Sequence, residues 1–169
     1  MPHLDAAYRF ARCLTRSPDD ADDLVQDAVL RAFRGYDTLR GTNVKAWLLT
    51  IVRNCYSTSR KQQQRGGLVP LPEEDEAQDG YALVAEGPGP EGMTIQADER
   101  RSLDRVMQSL PDEYREILIL REIEDMDYRE IAQVTSVPMG TVMSRLARAR
   151  AALKKQWMLQ HEDQAHAAP

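Results

Sequence analysis

The chain has 169 residues, 42% hydrophobic and 29% charged, with a net charge of −5, enough for one ordinary soluble domain or two small ones. No apolar run approaches the ~20 residues that cross a bilayer, and the opening MPHLDAAYRF lacks a basic-then-apolar signal pattern, so a cytoplasmic protein without membrane insertion is expected. Cys13 and Cys55 are too few for a disulfide framework and read as partly buried thiols; His3, His161 and His166 lie near the termini without metal-ligand spacing, so neither metal nor cofactor is expected.

Leu4 to Thr15 reads as a short helix with Leu4, Ala7, Tyr8, Ala11 and Leu14 on one side. In SPDDADDLVQDAVLRAFRGY, Ser17 caps a second helix, Pro18 takes its first position, and Asp19 and Asp20 favour the positive end of its dipole. Leu24, Val25, Ala28, Val29, Ala32 and Phe33 form the stripe to be buried, leaving Asp22, Asp23, Gln26, Asp27 and Arg31 outside. The run Asp19, Asp20, Asp22, Asp23 has the look of a magnesium motif. It lacks a second acidic motif and a chain long enough to wall a substrate cavity, so dipole compensation plus a protein-docking surface is the better reading.

GYDTLRGTN, from Gly35 to Asn43, is a loop in which Thr42 or Asn43 can cap the next helix. That helix, roughly 44–64, buries Trp47, Leu48, Ile51, Val52 and Cys55 and offers Lys45, Arg53, Asn54, Ser57, Thr58, Arg60 and Lys61 on its other face. Between Thr38 and Pro72 there are six basic residues and no acid, a surface suited to a polyanion. The Asn54 amide can both donate to and accept from a base edge, although an ordinary surface amide would look the same.

From Gly66 to Asp98 there is no Lys or Arg, while Glu73, Glu74, Asp75, Glu76, Asp79, Glu86, Glu91 and Asp98 supply eight negative charges. Removing them leaves −5 + 8 = +3 for the rest, so charge is segregated along the chain. With six glycines and four prolines among residues 66–92, residues 66–97 read as a flexible acidic linker between two helical units, residues 1–65 and 98–157. Fully extended it would reach on the order of 100 Å; as a coil it would average roughly 30 Å.

Asp98 to Leu110 restarts a helix that buries Leu103, Val106 and Leu110, and Pro111 opens another carrying Tyr114, Ile117, Leu118 and Arg121. Asp127 and Glu130 then make a capping box for a short helix burying Ile131 and Ala132. Thr135 and Ser136 break it, Val137 plugs the corner, and Pro138 belongs in the first turn of a further helix: a helix-turn-helix. In that last helix Val142, Leu146, Ala149 and Leu153 face inward, while Thr141, Met143, Ser144, Ala147 and Arg148 face out, flanked by Arg145, Arg150, Lys154 and Lys155. No acid occurs from Ile131 to Gln160, so this is a second positive surface. A solvated amphipathic helix is the plainer alternative, less favoured once the capped helix and corner precede it. Residues 158–169 form a tail without assigned function. No strand pattern and no nucleophile or phosphate-loop constellation is present, so the expectation is an all-α, non-enzymatic protein.

In this order DADDLVQDAVLRAF, AWLLTIVRNCYSTSRK, an acidic linker, LPDEYREILILREIEDMDYREIA and VPMGTVMSRLARARAAL resemble a bacterial extracytoplasmic-function sigma factor of the sigma-70 family. The resemblance implies that the first unit is sigma region 2 and the second region 4, and that the protein confers promoter recognition on core RNA polymerase. It implies polymerase contacts at Asp23, Gln26 and Asp27, on the beta-prime clamp helices, with region 4 meeting the beta flap. The loop Arg40, Gly41, Thr42 and Asn43 corresponds to the pocket for a flipped minus-10 base. Arg53, Asn54 and Ser57 lie on the face reading that element's unstacked bases, chemistry that a basic surface with amide and hydroxyl donors suits.

Minus-35 contacts are implied at Pro138, Gly140, Thr141, Met143, Ser144, Arg145, Ala147 and Arg148, near a helix N-terminus that attracts phosphate. Met143 departs from the Lys or Arg common before this Ser-Arg-Leu; a thioether can meet a thymine methyl but makes no bidentate bond to guanine. The two elements lie about two DNA turns, roughly 70 Å, apart, which the linker spans only when stretched. Its acidity suits a positively charged nucleic-acid channel, or a plain solvated spacer. The family is usually restrained by an anti-sigma factor. A sigma-like decoy that binds only an anti-sigma factor, or an ordinary helix-turn-helix regulator, are the alternatives; the retained basic face and the unexplained first unit speak against them.

Overall fold

A computed structural model describes residues 3–39, 41–65 and 93–167. The linker expectation for residues 66–92 lies outside the described residues, as does Arg40.

The first unit is three helices. In α1 (Leu4–Thr15) the spacing of Ala7, Phe10, Ala11 and Leu14 makes a buried stripe, and the helix ends where Arg16 turns left-handed (φ 65°) and donates its N–H to the Arg12 carbonyl at 3.2 Å. In α2 (Pro18–Arg34) the Ser17 hydroxyl accepts the Asp20 N–H at 3.4 Å, with Pro18 in the first turn as expected. Its buried line is Ala21, Leu24, Ala28 and Ala32, three alanines that let neighbouring helices approach closely. Phe33, expected in the core, is 66% exposed. At about 100° of turn per residue it falls well round the helix from that line. A 3₁₀ turn (Tyr36–Thr38) and Gly41, at φ 95°, lead to α3 (Val44–Arg65), whose first turn is capped by Asn43 Oδ1 accepting the Ala46 N–H at 2.9 Å. Ala46, Leu48, Leu49, Val52 and Cys55 are buried; Trp47 and Ile51 pack at the core's edge, Trp47 edge-on to Tyr36 at 6.5 Å.

The second unit begins with α4 (Met93–Ser109), which starts five residues earlier than the sequence suggested. It buries Val106 and Met107, with Leu110 just beyond, but leaves Leu103 39% exposed. In α5 (Asp112–Leu118) and the π-helical turn Ile119–Ile123 that continues it, four successive residues, Ile117 to Leu120, are buried. A helix apolar all round is one covered from more than one side. The wider turn closes with the Glu124 N–H on the Ile119 carbonyl at 2.9 Å.

Then comes α6 (Tyr128–Thr135) with the expected capping box: Asp127 Oδ1 accepts the Glu130 N–H at 2.8 Å and Glu130 Oε2 accepts the Asp127 N–H at 2.7 Å. Ser136, left-handed at φ 55°, turns the corner, and Val137 packs beneath it. Pro138 stands just ahead of α7 (Met139–Ala167), its carbonyl taking the N–H groups of Thr141 and Val142 at 2.9 and 3.0 Å. Val142, Leu146 and Ala149 are buried and Leu153 partly so.

The units are not merely tethered. Helix α1 packs on α5 and α3 packs on α6, and buried apolar residues of both units form one continuous cluster. The described residues are helical with no strand, the all-α architecture expected. Because Asp127 satisfies an N–H at the start of the helix that supports α7, Asp127→Ala should cost about 1 kcal/mol, read as a lower urea midpoint with an unchanged slope. An unchanged midpoint would show that the box contributes nothing.

Candidate nucleic-acid interface

On α3, Lys45, Arg53 and Arg60 share one long face, and each has an acidic partner. Lys45 Nζ lies 2.7 Å from Glu124 Oε2 and donates to the Glu124 carbonyl at 2.7 Å. Arg53 pairs with Glu116. Arg60 meets Asp112 Oδ2 at 2.6 Å. Asn43 uses Oδ1 for the α3 cap and donates Nδ2 to Glu130. Gly41 and Thr42 are exposed, and the Thr42 carbonyl accepts the Val44 N–H at 3.0 Å. Asn54 is exposed and Ser57 half-buried, and among the described residues neither side chain makes a hydrogen bond. Asn54 thus presents an unengaged amide beside paired cations.

The second face is the outer side of α7. Met143, 53% exposed, stands with Ser144, Ala147 and Arg148 on the side opposite Val142, Leu146 and Ala149. The Ser144 hydroxyl is turned back to the Thr141 carbonyl at 3.1 Å. Pro138 and Gly140 are exposed at the helix start, where the first N–H groups have no intrahelical partner. Arg145 is held by Glu113 at 3.3 Å and Arg150 by Glu122 at 2.6 Å, which leaves Arg148 as the long cation at the centre of the face. A slim helix surface with one arginine, one thioether and a hydroxyl fits a major groove.

Residues 1–66 match the family described as Sigma-70 region 2, and residues 100–153 match Sigma-70, region 4. The chain is similar to the ECF RNA polymerase sigma-E factor of Escherichia coli K12, 33% identical over 138 residues that cover 79% of this chain and 72% of the relative. The chain belongs to the extracytoplasmic-function sigma factors. It is also similar to the ECF sigma factor EcfG of Rhodopseudomonas palustris (32% over 145 residues; 85% and 75% covered) and to SigE of Mycolicibacterium smegmatis (32% over 152 residues). The latter match covers 90% of this chain but 57% of the relative, so the chain spans little more than half of that protein. Among solved structures, the sigma factor RpoE in complex with the anti-sigma factor NepR from Bartonella quintana is similar at a TM-score of 0.63 and 31% identity, covering 90% of this chain and 91% of that one.

In this sigma factor the polymerase-docking candidates lie on α2: Asp23 and Gln26 are exposed, and Asp27 pairs with Arg31 at 2.9 Å. Leu30, Phe33 and Tyr36, all exposed, follow them and extend the surface with apolar area. No described helix is long and apolar enough to cross a membrane.

The residues that sequence reasoning passed over belong to region 4. Arg115 is 1% exposed; its Nε donates to the Cys13 carbonyl at 2.9 Å, Nη1 to the Leu110 carbonyl at 3.1 Å, and Nη2 to Asp112 at 2.7 Å. Asp112 also receives Arg16 at 3.1 Å, and Arg9 joins Glu124 at 2.8 Å. Burial pushes the Asp112 carboxyl up, but Arg115, Arg16 and Arg60 together outweigh it and hold it below the ordinary range. At Glu124 burial is likewise outweighed by Arg9 and Lys45, whereas burial of Glu116 prevails over Arg53 and raises it. The one sequence signal was charge: 112–130 carries eight acids against an acid-free α3.

Burial also pushes the Cys13 thiol up to about 12 and the Cys55 thiol to about 11. Both should therefore stay unalkylated in the native protein at pH 8 and react in urea, by intact-mass spectrometry. Rapid native labelling would contradict their burial.

Proposed function

We propose that this chain initiates transcription by binding core RNA polymerase and carrying it to promoters with paired minus-10 and minus-35 elements. The observation that carries the reading is the outer face of α7: Met143, Ser144, Ala147 and Arg148 are presented together by a capped helix-turn-helix whose opposite side is buried. The unit of residues 98–157 reads the minus-35 duplex there, with Pro138, Gly140 and Thr141 positioning the helix start on phosphate and Arg145 alongside. The unit of residues 1–65 captures the minus-10 strand through Asn54, Ser57, Arg53 and the loop Arg40, Gly41, Thr42 and Asn43. Extruded bases are held by amide and hydroxyl donors and the displaced strand by cations, which offsets the cost of opening the duplex.

Asp23, Gln26 and Asp27, with the exposed apolar surface of Leu30 and Phe33 beside them, dock on the clamp helices of the beta-prime subunit, and the second unit meets the beta flap. The acidic segment 66–92 joins the two units across the distance between the elements. The protein works in the cytoplasm, has no catalytic group of its own, and is held in check by an anti-sigma factor, as its relative RpoE is found in complex with NepR.

Two substitutions test the two faces. Arg148→Ala should weaken binding to minus-35 duplex by about 1–3 kcal/mol, measured by fluorescence anisotropy; unchanged affinity would remove that face from the account. Asn54→Ala should slow open-complex formation, followed by permanganate reactivity of unpaired thymines, while leaving polymerase affinity intact. Equal loss of both would mean the substitution had damaged the fold.

A further inference from the structure

The exposed side of α7 is chemically sparse. At about 100° per residue, Met143 and Ala147 fall within about 40° of each other on one edge of that side, and Ser144 and Arg148 pair in the same way on the other. Met143 is 53% exposed, and Ala147 is exposed one turn further on. Met139, 45% exposed, continues the same line one turn earlier. Two neighbours that would compete for a base are engaged elsewhere: the Ser144 hydroxyl donates to the Thr141 carbonyl at 3.1 Å, and Arg145 is held by Glu113 at 3.3 Å. Arg148 is exposed and has no acidic partner among the described residues.

What this face lacks narrows what it reads. From Val134 to Lys155 there is no Asn, Gln, Asp or Glu, so the amide that takes adenine and the carboxylate that takes the cytosine amino group are both missing. Two kinds of base contact remain: a guanidinium takes guanine through O6 and N7, and an apolar side chain takes the C5 methyl of thymine. An unbranched, polarizable thioether suits the second role, because it adjusts to where the methyl lies and the contact removes both groups from water. Met143 and Arg148 stand about 7.5 Å apart along the helix axis, against 3.4 Å between base pairs, so their contacts fall about two base steps from each other.

We propose that Met143, backed by Ala147, is a specificity determinant of the minus-35 element: it requires a thymine whose C5 methyl packs on the thioether, with a guanine taken by Arg148 about two base steps away. The proposal rests on the reading of α7 as the minus-35 helix. It makes a methyl group, and no hydrogen bond, the feature read at that base, so the site distinguishes thymine from uracil as well as from the other three bases.

The test uses the full chain assembled with bacterial core polymerase, on a promoter fragment that this holoenzyme transcribes. The upstream element is randomised, and the sequences that the holoenzyme retains are determined. They should share a thymine and a guanine about two steps from it. Uracil in place of that thymine should weaken holoenzyme binding about fourfold, the worth of one buried methyl, in a competition assay that needs no protein variant. In Met143→Ala the uracil penalty should vanish, whereas Met143→Leu should keep it, and Met143→Arg should exchange the thymine for guanine in a repeat of the selection. Because Met143 is exposed, all three variants should unfold at the wild-type urea midpoint.

A retained element without thymine would overturn the proposal. So would uracil that costs nothing at every retained thymine, or a penalty that persists unchanged in Met143→Ala. Each of these outcomes leaves the promoter reading standing, since an element is still selected. If the holoenzyme transcribes no fragment, or the randomised interval yields no preferred sequence, the promoter reading fails and this proposal falls with it.

Discussion

The guanidinium of Arg115 is the interaction on which the arrangement of the molecule depends. A buried arginine is tolerated only when its donors are matched, and here they reach the Cys13 carbonyl at the end of α1, the Leu110 carbonyl at the end of α4, and the Asp112 carboxylate at the start of α5. Three helix ends from two units meet on one side chain. The Cys13 carbonyl is one of the orphan acceptors that every helix C-terminus leaves, and it is satisfied here by the other unit instead of by water. Asp112 carries the effect outward by gathering Arg16 and Arg60, so the buried charge and the exposed face of α3 are parts of one network.

From that network follows an electrostatic division of labour. The chain is acidic overall, yet it offers two basic helical faces, and they differ in what surrounds them. On α7 the flanking cations Arg145 and Arg150 are steadied by Glu113 and Glu122 of the same unit, which leaves the central side chains open. On α3 the partners come from the other unit. A contact within a unit stiffens a binding surface; a contact between units makes its availability depend on how the units are placed. The basic face of α7 is thus steadied from within its own unit, while that of α3 is engaged by the other unit.

Much of this was legible in the residues. The cap at Ser17, the capping box at Asp127 and Glu130, the corner at Ser136 and Val137, and the inward line Val142, Leu146, Ala149 are local features, fixed by hydrogen-bond geometry and helical period, and they stand where the sequence placed them. Failures came where burial depends on a distant neighbour. Phe33 and Leu103 carry core-type side chains but lie off the packed lines of their helices. Of the buried run Ile117 to Leu120 the sequence singled out Ile117 and Leu118 alone, because the α1 surface that covers this helix lies about a hundred residues away in the chain. Arg115, Glu116 and Glu124 drew no reading from the sequence, since no periodicity marks a charge whose partner is on another unit. The acid-rich stretch 112–130 set against the acid-free α3 was the one available hint.

The measurement that bears most directly on the whole account is run-off transcription with purified bacterial core polymerase, this protein and a pool of genomic promoter fragments. The account predicts discrete transcripts whose templates share two upstream elements about two DNA turns apart, absent when either the protein or the core is omitted. Tight binding to core without any specific transcript would contradict it, and would make the chain a polymerase- or anti-sigma-binding protein that reads no promoter.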